Sequence, residues 1–291
     1  MPDRAPAWVV PAMRAGYAAR GIVYILVGWL ALRAAWVGGQ AEGAQGALTT
    51  LTDESWGPAL LWAIAVGLFC YAFWRAIAAW MDLERHGTEA RGLVARIGMV
   101  TTGLIHAALA IYAIRLATYG GGGESGGEQR WTAWLMSQPY GRWLVVAVGA
   151  AVIGAGIYYA WKGIAEKYRE HLRYTPTVER LSPLCKLGFV AYGVVIAMVG
   201  GFLLWAGWTH DPSEAGGVEQ ALATVRGAAF GRVLLGLLGL GLLGFAIENF
   251  IEAAWRIVPA RTDATVTSLA AKARGGIARA AATAQARGGQ S

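Results

Sequence analysis

Six long apolar stretches constrain the fold of this chain more than any other feature of its sequence. A helix needs about 20 mostly apolar residues to cross a hydrocarbon core of roughly 30 Å. Because each backbone amide in lipid must find its partner inside its own segment, the stretches predict an all-α integral membrane protein. Tryptophans near many of their ends are typical of membrane interfaces. The six predicted transmembrane helices are Tyr17–Val37, Pro58–Trp80, Ile97–Thr118, Arg142–Gly163, Leu187–Trp208 and Gly231–Ala254.

The composition excludes the main soluble classes. Only 15% of the 291 residues are charged, whereas a soluble domain has about 25%. The two cysteines, Cys70 and Cys185, are too few for a disulfide scaffold, and we expect both to be reduced packing residues. The net charge of +7 is positive, but so few charges between long apolar runs do not indicate a nucleic-acid partner.

The distribution of charge predicts how the chain is oriented in the membrane. Most Lys and Arg residues precede the first helix, follow the last one, or lie in the second and fourth connections. The other connections carry mainly acids, such as Glu42, Asp53 and Glu219. The positive-inside rule therefore places both termini in the cytoplasm, and the basic side is expected to attract anionic lipid head groups.

The helices form three tandem pairs whose sequences match one another. The first helix of each pair opens with a basic residue followed by Gly two positions later and a second Gly five positions after that. The second helix opens with an aromatic-Gly step: Trp56-Gly57, Tyr140-Gly141 and Phe230-Gly231. We therefore divide the chain into an N-terminal segment (1–13), three repeats of two membrane helices (14–84, 96–168 and 186–258) and a basic Ala/Gly-rich tail (259–291).

Each repeat has an even number of crossings, so all three have one orientation, and we predict a pseudo-threefold axis along the membrane normal. Glycines on the first helices are expected to allow close helix packing. These predicted packing glycines are Gly16, Gly21 and Gly28 in repeat 1, Gly98 and Gly103 in repeat 2, and Gly188, Gly193 and Gly200 in repeat 3.

The repeated basic-x-Gly opening, the aromatic-Gly step and the threefold pairing resemble a bacterial family called domain of unknown function 1206. The resemblance extends from Arg14 to Ala254. It implies the six-helix repeat fold, and it implies no activity, cofactor or catalytic residue.

No residue pattern indicates a catalytic, metal or cofactor site. Of the four histidines only His106 lies inside a predicted span, and a haem held by two histidines would need a second. No spacing typical of zinc ligands occurs. The sequence 123–127 matches a nucleophile-elbow pattern, and 239–244 matches a dinucleotide-binding pattern, but both lack the strand that such motifs require. We expect no cofactor, no metal and no enzyme activity.

Ionisable groups inside the predicted spans are the strongest candidate functional residues, because they are costly in lipid and tend to face partners. They are Arg75, His106 and Glu248, with Asn249 beside the last. In repeat register Arg75 and Glu248 lie at nearly the same depth, so one hypothesis pairs them, directly or through Asn249. The alternative extends Arg75 toward the head groups. His106 is either a hydrogen-bonded packing residue or a proton relay.

Two functions remain open at this point. The first is a non-enzymatic scaffold or subunit that binds other membrane components, lipids or proteins. The second is a transporter or channel-like protein with a path along the pseudo-threefold axis, which requires a polar cavity lined by groups such as His106, Arg75 and Glu248. Where the mid-membrane polar atoms lie discriminates between them.

Overall fold

The computed structural model describes residues 8–120 and 127–258, and within them every long element is helical. Six of the helices are long and apolar enough to cross a membrane, as predicted. Three short helices, α2 (Ala44–Thr49), α5 (Gly127–Met136) and α8 (Val218–Gly227), precede the second helix of each pair. The long helices are α1 (Val9–Trp36), α3 (Gly57–Trp80), α4 (Ala90–Tyr119), α6 (Gly141–Ile164), α7 (Pro176–Thr209) and α9 (Gly231–Trp255).

The first helix of each pair begins earlier than hydropathy predicts. α1, α4 and α7 extend beyond the predicted starts of the spans by about two turns or more on the side of the membrane that carries Arg14, Arg96 and Lys186, which we call the basic side. At the start of α7 the Thr175 hydroxyl accepts a hydrogen bond from the Val178 amide at 3.1 Å, a regular N-terminal cap. These extensions are less apolar than the spans, so an apolar-length criterion does not detect them.

The six long helices pack in one continuous row, in the order α4, α3, α1, α9, α7, α6. The ends of the row are nearly free: in the described residues α4 and α6 form only marginal contacts, although they belong to the same repeat. Burial agrees with this arrangement. In the most apolar stretch of α6 only 17% is buried, against 61% for the central helix α9. The row is therefore open between α4 and α6, and we call this position the open junction.

Glycine contacts recur at equivalent positions where consecutive repeats meet. A Cβ at Gly103 of α4 would stand 3.3 Å from the Ala72 oxygen of α3. At Gly193 of α7 it would stand 2.6 Å from the Ala160 nitrogen of α6, and at Gly21 of α1 it would meet the Phe250 ring of α9 at 2.8 Å. The close approach of helices therefore depends on the absence of a side chain at these positions.

Contacts inside a repeat recur in repeats 1 and 3 but not in repeat 2. A Cβ at Gly16 would lie 2.6 Å from the Tyr71 backbone, and one at Gly188 would overlap the backbone of Phe245. Gly98 holds the equivalent position in repeat 2, yet nothing lies within 4 Å of its Cβ direction. The prediction that Gly98 is a packing glycine is therefore wrong, because its expected partner helix α6 is not against it. The other predicted packing glycines all lie against a neighbouring helix, while the threefold axis itself stays a prediction.

The interior differs between the two halves of the membrane. In the half away from the basic side, one apolar cluster joins α1, α3, α4, α7 and α9, with members such as Val27, Leu61, Ala113 and Val195. The buried charged residues Arg20, Glu248 and Glu252 lie toward the basic side instead. Polar groups therefore do not continue through the described interior from one side to the other.

An ion-pair network closes the basic side. Arg256, just after α9, donates to Glu84 at 2.6 Å and also to Glu252. The neighbouring backbone pairs with the segment before α7, since the Ile257 amide donates to the His171 oxygen at 2.7 Å. Burial alone would raise the pKa of Glu84, but the charge of Arg256 and the hydrogen bond to His86 hold it well below its usual range. The network therefore requires an ionised Glu84.

His171 predicts how stability depends on acidity. Burial, followed by the positive charges of Arg256 and Lys162, lowers the pKa of His171 to about 4. In the unfolded chain this pKa returns to about 6.5, so the unfolded state binds more protons between these values and stability falls as pH falls from about 6.5 to about 4. We expect a loss of about 3 kcal/mol across this window, measured as apparent unfolding temperature in detergent. His171→Gln should reduce this loss, whereas His210→Asn at an exposed position should leave it unchanged. An equal loss in both variants would contradict the assignment.

Candidate functional site

Arg20 of α1 is the most deeply placed cation near the centre of the protein. It follows Arg14 by six residues, so it lies about 9 Å farther along the helix from the basic side. Only 5% of it is exposed. Burying a guanidinium is costly unless its charge and its hydrogen-bond donors find partners, so the groups around it decide what this position can do.

Aromatic rings surround the Arg20 guanidinium. Its Nη1 donates to the Tyr71 hydroxyl at 3.0 Å, and its Cζ lies 4.6 Å from the centre of the Tyr71 ring. Tyr17, Tyr24 and Phe245 place ring centres 5.7–5.9 Å from the same carbon. Rings at these distances attract a cation through their quadrupole, and this attraction offsets part of the cost of burial.

Arg20 has no carboxylate partner among the described residues. No Asp or Glu oxygen in that part of the chain forms an ion pair with it, and its buried Nε has no hydrogen-bond partner. Glu248 is the acid that interacts electrostatically with Arg20 at longer range, without an ion pair. The site thus holds a buried positive charge with a donor left over.

Aromatic contacts connect Arg20 to both helices that border the open junction. On one side the Tyr71 ring lies 4.7 Å from the His106 ring of α4. On the other side the Tyr24 ring lies 5.5 Å from Tyr192 of α7, which in turn lies 5.0 Å from Tyr159 of α6. Arg20 therefore stands behind the open junction, between its two walls.

His106 is a buried packing residue in this arrangement. It is 7% exposed, and its Nδ1 lies 2.7 Å from the Thr102 oxygen one turn earlier in α4. Since a carbonyl oxygen only accepts, this contact requires the proton on Nδ1. Together with the Tyr71 ring, the contact satisfies the histidine locally and favours the packing hypothesis over the proton relay.

The hypothetical pair of Arg75 with Glu248 is not formed. No ion pair joins them among the described residues; Arg75 is half-buried on α3, with Cζ 5.9 Å from the Tyr71 ring. Glu248 is 3% exposed on α9, where the charged residues that act on it electrostatically are Glu252, Lys162 and Arg20. Equal depth in repeat register did not bring the two side chains together, because Arg75 lies at the junction with α4 while Glu248 faces the interior.

Asn249 does not mediate that pair either. It is completely buried, and its Nδ2 donates to the Phe245 oxygen one turn earlier at 2.7 Å, while its Oδ1 has no partner. The cation that joins two acids on the basic side is Arg256, which the sequence alone places in the tail. Its Cζ also lies 5.4 Å from the Tyr17 ring.

Sequence reasoning missed Arg20, although a signal was present. Arg20 lies three residues inside the predicted span Tyr17–Val37, so it met the criterion that selected Arg75 and Glu248. It was instead counted among the basic residues that orient the first helix. Its role emerges from the structure because Tyr24, Tyr71 and Phe245 come from three different helices.

The walls of the open junction are lined with small residues. Gly98 and Thr101 are exposed on α4, and Ala151, Gly154 and Ala155 are exposed on α6. We call these two surfaces the uncovered faces. The equivalent residues in repeats 1 and 3 are buried between helices: a Cβ at Gly67 or Gly241 would meet the side chain of Ala19 or Ala191 respectively.

One substitution distinguishes repeat 2 at this level. In repeat register Ala155 corresponds to Tyr71 and Phe245, whose rings are almost fully buried beside Arg20. Repeat 2 thus lacks the ring that repeats 1 and 3 place beside Arg20. The missing ring belongs to the same repeat as the open junction.

Comparison with known proteins supports the repeat organisation. Residues 15–82, 97–166 and 187–256 each match the family described as Domain of Unknown Function (DUF1206). The chain belongs to the DUF1206 family. These three matches confirm the predicted resemblance and the three tandem repeats.

The chain is also similar to a bacterial protein over most of its length. The DUF1206 chain is 32% identical over 249 residues to an uncharacterized protein, YxxB of Bacillus subtilis (strain 168). The matched region covers 84% of this chain and 90% of the relative. No solved structure matches. The family description assigns no activity, so the geometry of the site is the basis for a proposed function.

The 239–244 pattern packs helices in this DUF1206 protein. A Cβ at Gly239 would lie 3.0 Å from the Gly28 oxygen of α1, and one at Gly244 would lie 2.6 Å from the Leu184 oxygen of α7. Both glycines therefore allow helix contact, and the resemblance to a dinucleotide-binding motif has no structural basis here. Most of the nucleophile-elbow pattern at 123–127 lies outside the described residues.

A pair of glycine substitutions tests the open junction. Gly188→Ala should destabilise the protein by about 1–3 kcal/mol, because the methyl group would overlap the Phe245 backbone. Gly98→Ala, at the equivalent position of repeat 2, should change stability by no more than about 0.5 kcal/mol in the destabilising direction, since it meets open space. Apparent unfolding temperatures in one detergent provide the measurement. Equal destabilisation by both variants would mean that α4 and α6 are packed together.

Proposed function

We propose that this protein is a non-enzymatic membrane protein that binds other membrane components at the open junction between α4 and α6. One observation carries the proposal: in repeats 1 and 3 the equivalent faces each seat a helix, while in repeat 2 they are exposed to the bilayer. Small-residue faces allow close approach of an apolar partner in lipid, where packing rather than the hydrophobic effect drives association. The uncovered faces are therefore suited to receiving such a partner.

The chemistry of the interior supports a binding role rather than catalysis. The polar groups around Arg20 are phenols, the imidazole of His106 and, at longer range, the carboxyl of Glu248, and the imidazole is hydrogen-bonded within its own helix. In the described part of the chain, no group of three or more His, Cys, Asp or Glu side chains is arranged to hold a metal ion. A proposal of hydrolysis or group transfer would lack a nucleophile with a base beside it.

Transport along the centre receives less support. A path would need polar lining through both halves of the membrane, and the apolar cluster around Val27, Leu61 and Val195 fills the half away from the basic side. A surface depression of about 530 Å³ does exist on that side, lined by residues such as Gln40, Glu219 and Arg226. The apolar cluster stands between this depression and Arg20. We therefore favour binding from the side, through the bilayer, over passage along an axis.

We place the basic side in the cytoplasm of a bacterial inner membrane as part of this proposal. The support is the positive-inside rule, applied to the Lys and Arg residues before α1, after α9 and in the second and fourth connections. In this orientation the open junction next to Arg20 lies in the inner half of the membrane.

Site-specific photocrosslinking in native membranes tests the proposed function. A benzophenone amino acid at Gly154 lies on the uncovered face of α6, and one at Leu240 lies on an exposed face of α9, about one helical turn farther from the basic side in repeat register. We expect light to produce an adduct of defined mass at Gly154, read by intact-protein mass spectrometry, and only diffuse labelling at Leu240. The same diffuse labelling at both positions would contradict a binding role for the open junction.

A further inference from the structure

The charge behind the open junction indicates what kind of membrane component fits it. Arg20 is buried, has no carboxylate partner in the described residues and keeps an unpartnered Nε. Its guanidinium is surrounded by aromatic rings, of which Tyr71 accepts a hydrogen bond from Nη1, and Glu248 interacts with it only at longer range. The unpartnered Nε therefore leaves a charged donor that suits an anion.

The path to Arg20 is lateral. Contacts from Arg20 lead through Tyr71 to His106 on α4, and through Tyr24 and Tyr192 to Tyr159 on α6. Between these two walls repeat 2 has Ala155 where repeats 1 and 3 have buried aromatic rings. The small, exposed side chain of Ala155 therefore leaves space in repeat 2 that a ring fills in repeats 1 and 3.

The depth of the site matches a lipid of the leaflet on the basic side. Arg14, Arg96 and Lys186 hold equivalent positions at the basic ends of the first helices and mark the level of the head groups. Arg20 lies about 9 Å farther in, within reach of a head group that inserts between α4 and α6. Thr101 and Ala151 lie at about the depth of Arg20 in repeat register and Ile105 lies farther in, and together they give the groove an exposed, mainly apolar lining against which a hydrocarbon chain can pack.

We propose that the groove between α4 and α6 binds one anionic lipid, with its head-group oxyanion on Arg20 and an acyl chain against the uncovered faces. This proposal rests on the proposed binding function and specifies its ligand. A guanidinium and an oxyanion form charge-assisted hydrogen bonds, which are the strong ones in proteins. The Nε of Arg20 supplies a donor for the lipid, and the small residues of α4 and α6 supply space for the chain.

A helix of a second copy is the competing occupant. In repeats 1 and 3 the equivalent faces pair with each other, so α4 of one copy fits α6 of another by the same geometry. Such a helix would cover the groove but would leave Arg20 without an anion, because the uncovered faces carry Gly98, Thr101, Ala151, Gly154 and Ala155 and no acid. The charge of Arg20 therefore favours the lipid.

Photoreactive lipids test the proposal on the full-length protein in phosphatidylcholine vesicles. One set of vesicles contains a trace of phosphatidylglycerol with a diazirine in its acyl chain, and the other contains phosphatidylcholine with the same chain. We expect phosphatidylglycerol to label α4 and α6 around Gly98 and Ala151, and phosphatidylcholine to label them about tenfold less. Peptide mapping by mass spectrometry gives the positions and yields.

Three variants identify the groups responsible. Arg20→Gln should lower phosphatidylglycerol labelling of the groove about tenfold, while Arg14→Gln, which removes an exposed charge from the same helix, should leave it unchanged. Ala151→Leu fills the groove without touching Arg20 and should also lower labelling. This last variant keeps the test valid if Arg20→Gln does not give a monodisperse protein, since an exposed Leu at Ala151 does not disturb the interior.

Several outcomes would overturn the lipid site. Equal labelling by the two lipids, or unchanged labelling in Arg20→Gln, would contradict the binding of an anionic head group by Arg20. Complete competition by inorganic phosphate would assign the site to a free oxyanion. Crosslinking between chains, with cysteines at Gly98 in one copy and Ala155 in another, would assign the groove to a second copy. In each of these cases an adduct at Gly154 would still support the proposed function, whereas absence of that adduct would end both proposals.

Discussion

Close approach of helix backbones at glycine is the interaction on which the rest of this structure depends. In lipid the hydrophobic effect does not drive helices together, so contact area and dispersion must hold them, and side chains at the contact keep backbones apart. Gly16, Gly188 and Gly193 each bring a first helix against a second helix at a distance that a Cβ would not permit without a shift of the backbone. Because the chain repeats this device three times, the order of the helices follows from it.

The same device explains the opening in repeat 2. Gly98 is present, but Ala155 stands where Tyr71 and Phe245 fill the equivalent position, so closing α4 onto α6 would leave a void beside Arg20. A void in a packed interior forfeits dispersion contacts. The opening therefore concentrates two features at one place: an apolar entrance from the bilayer, and a buried cation that lacks an anion. The proposed binding role rests on this coincidence rather than on either feature alone.

Several properties could be predicted from the sequence because they depend on local pattern. Apolar length predicted the six helices, and recurring glycines predicted three repeats and most of the helix contacts. The candidate site was predicted less well. Arg75 and Glu248 lie at equal depth, but depth does not specify which way a helix faces, and they do not pair. Arg20 lay within a predicted span, yet its significance depends on rings from α1, α3 and α9 that are distant in sequence.

The sequence by itself determined the membrane class, the number of crossings and the repeat, because backbone hydrogen bonding in lipid and the close packing at glycine are local requirements. Only the tertiary structure decided which pairs of helices close, and hence that repeat 2 stays open in front of Arg20. That outcome depends on how residues far apart in the chain fill a shared volume. Gly98 holds the same position in the repeated sequence as Gly16 and Gly188 do. It differs from them because no neighbouring helix packs against it.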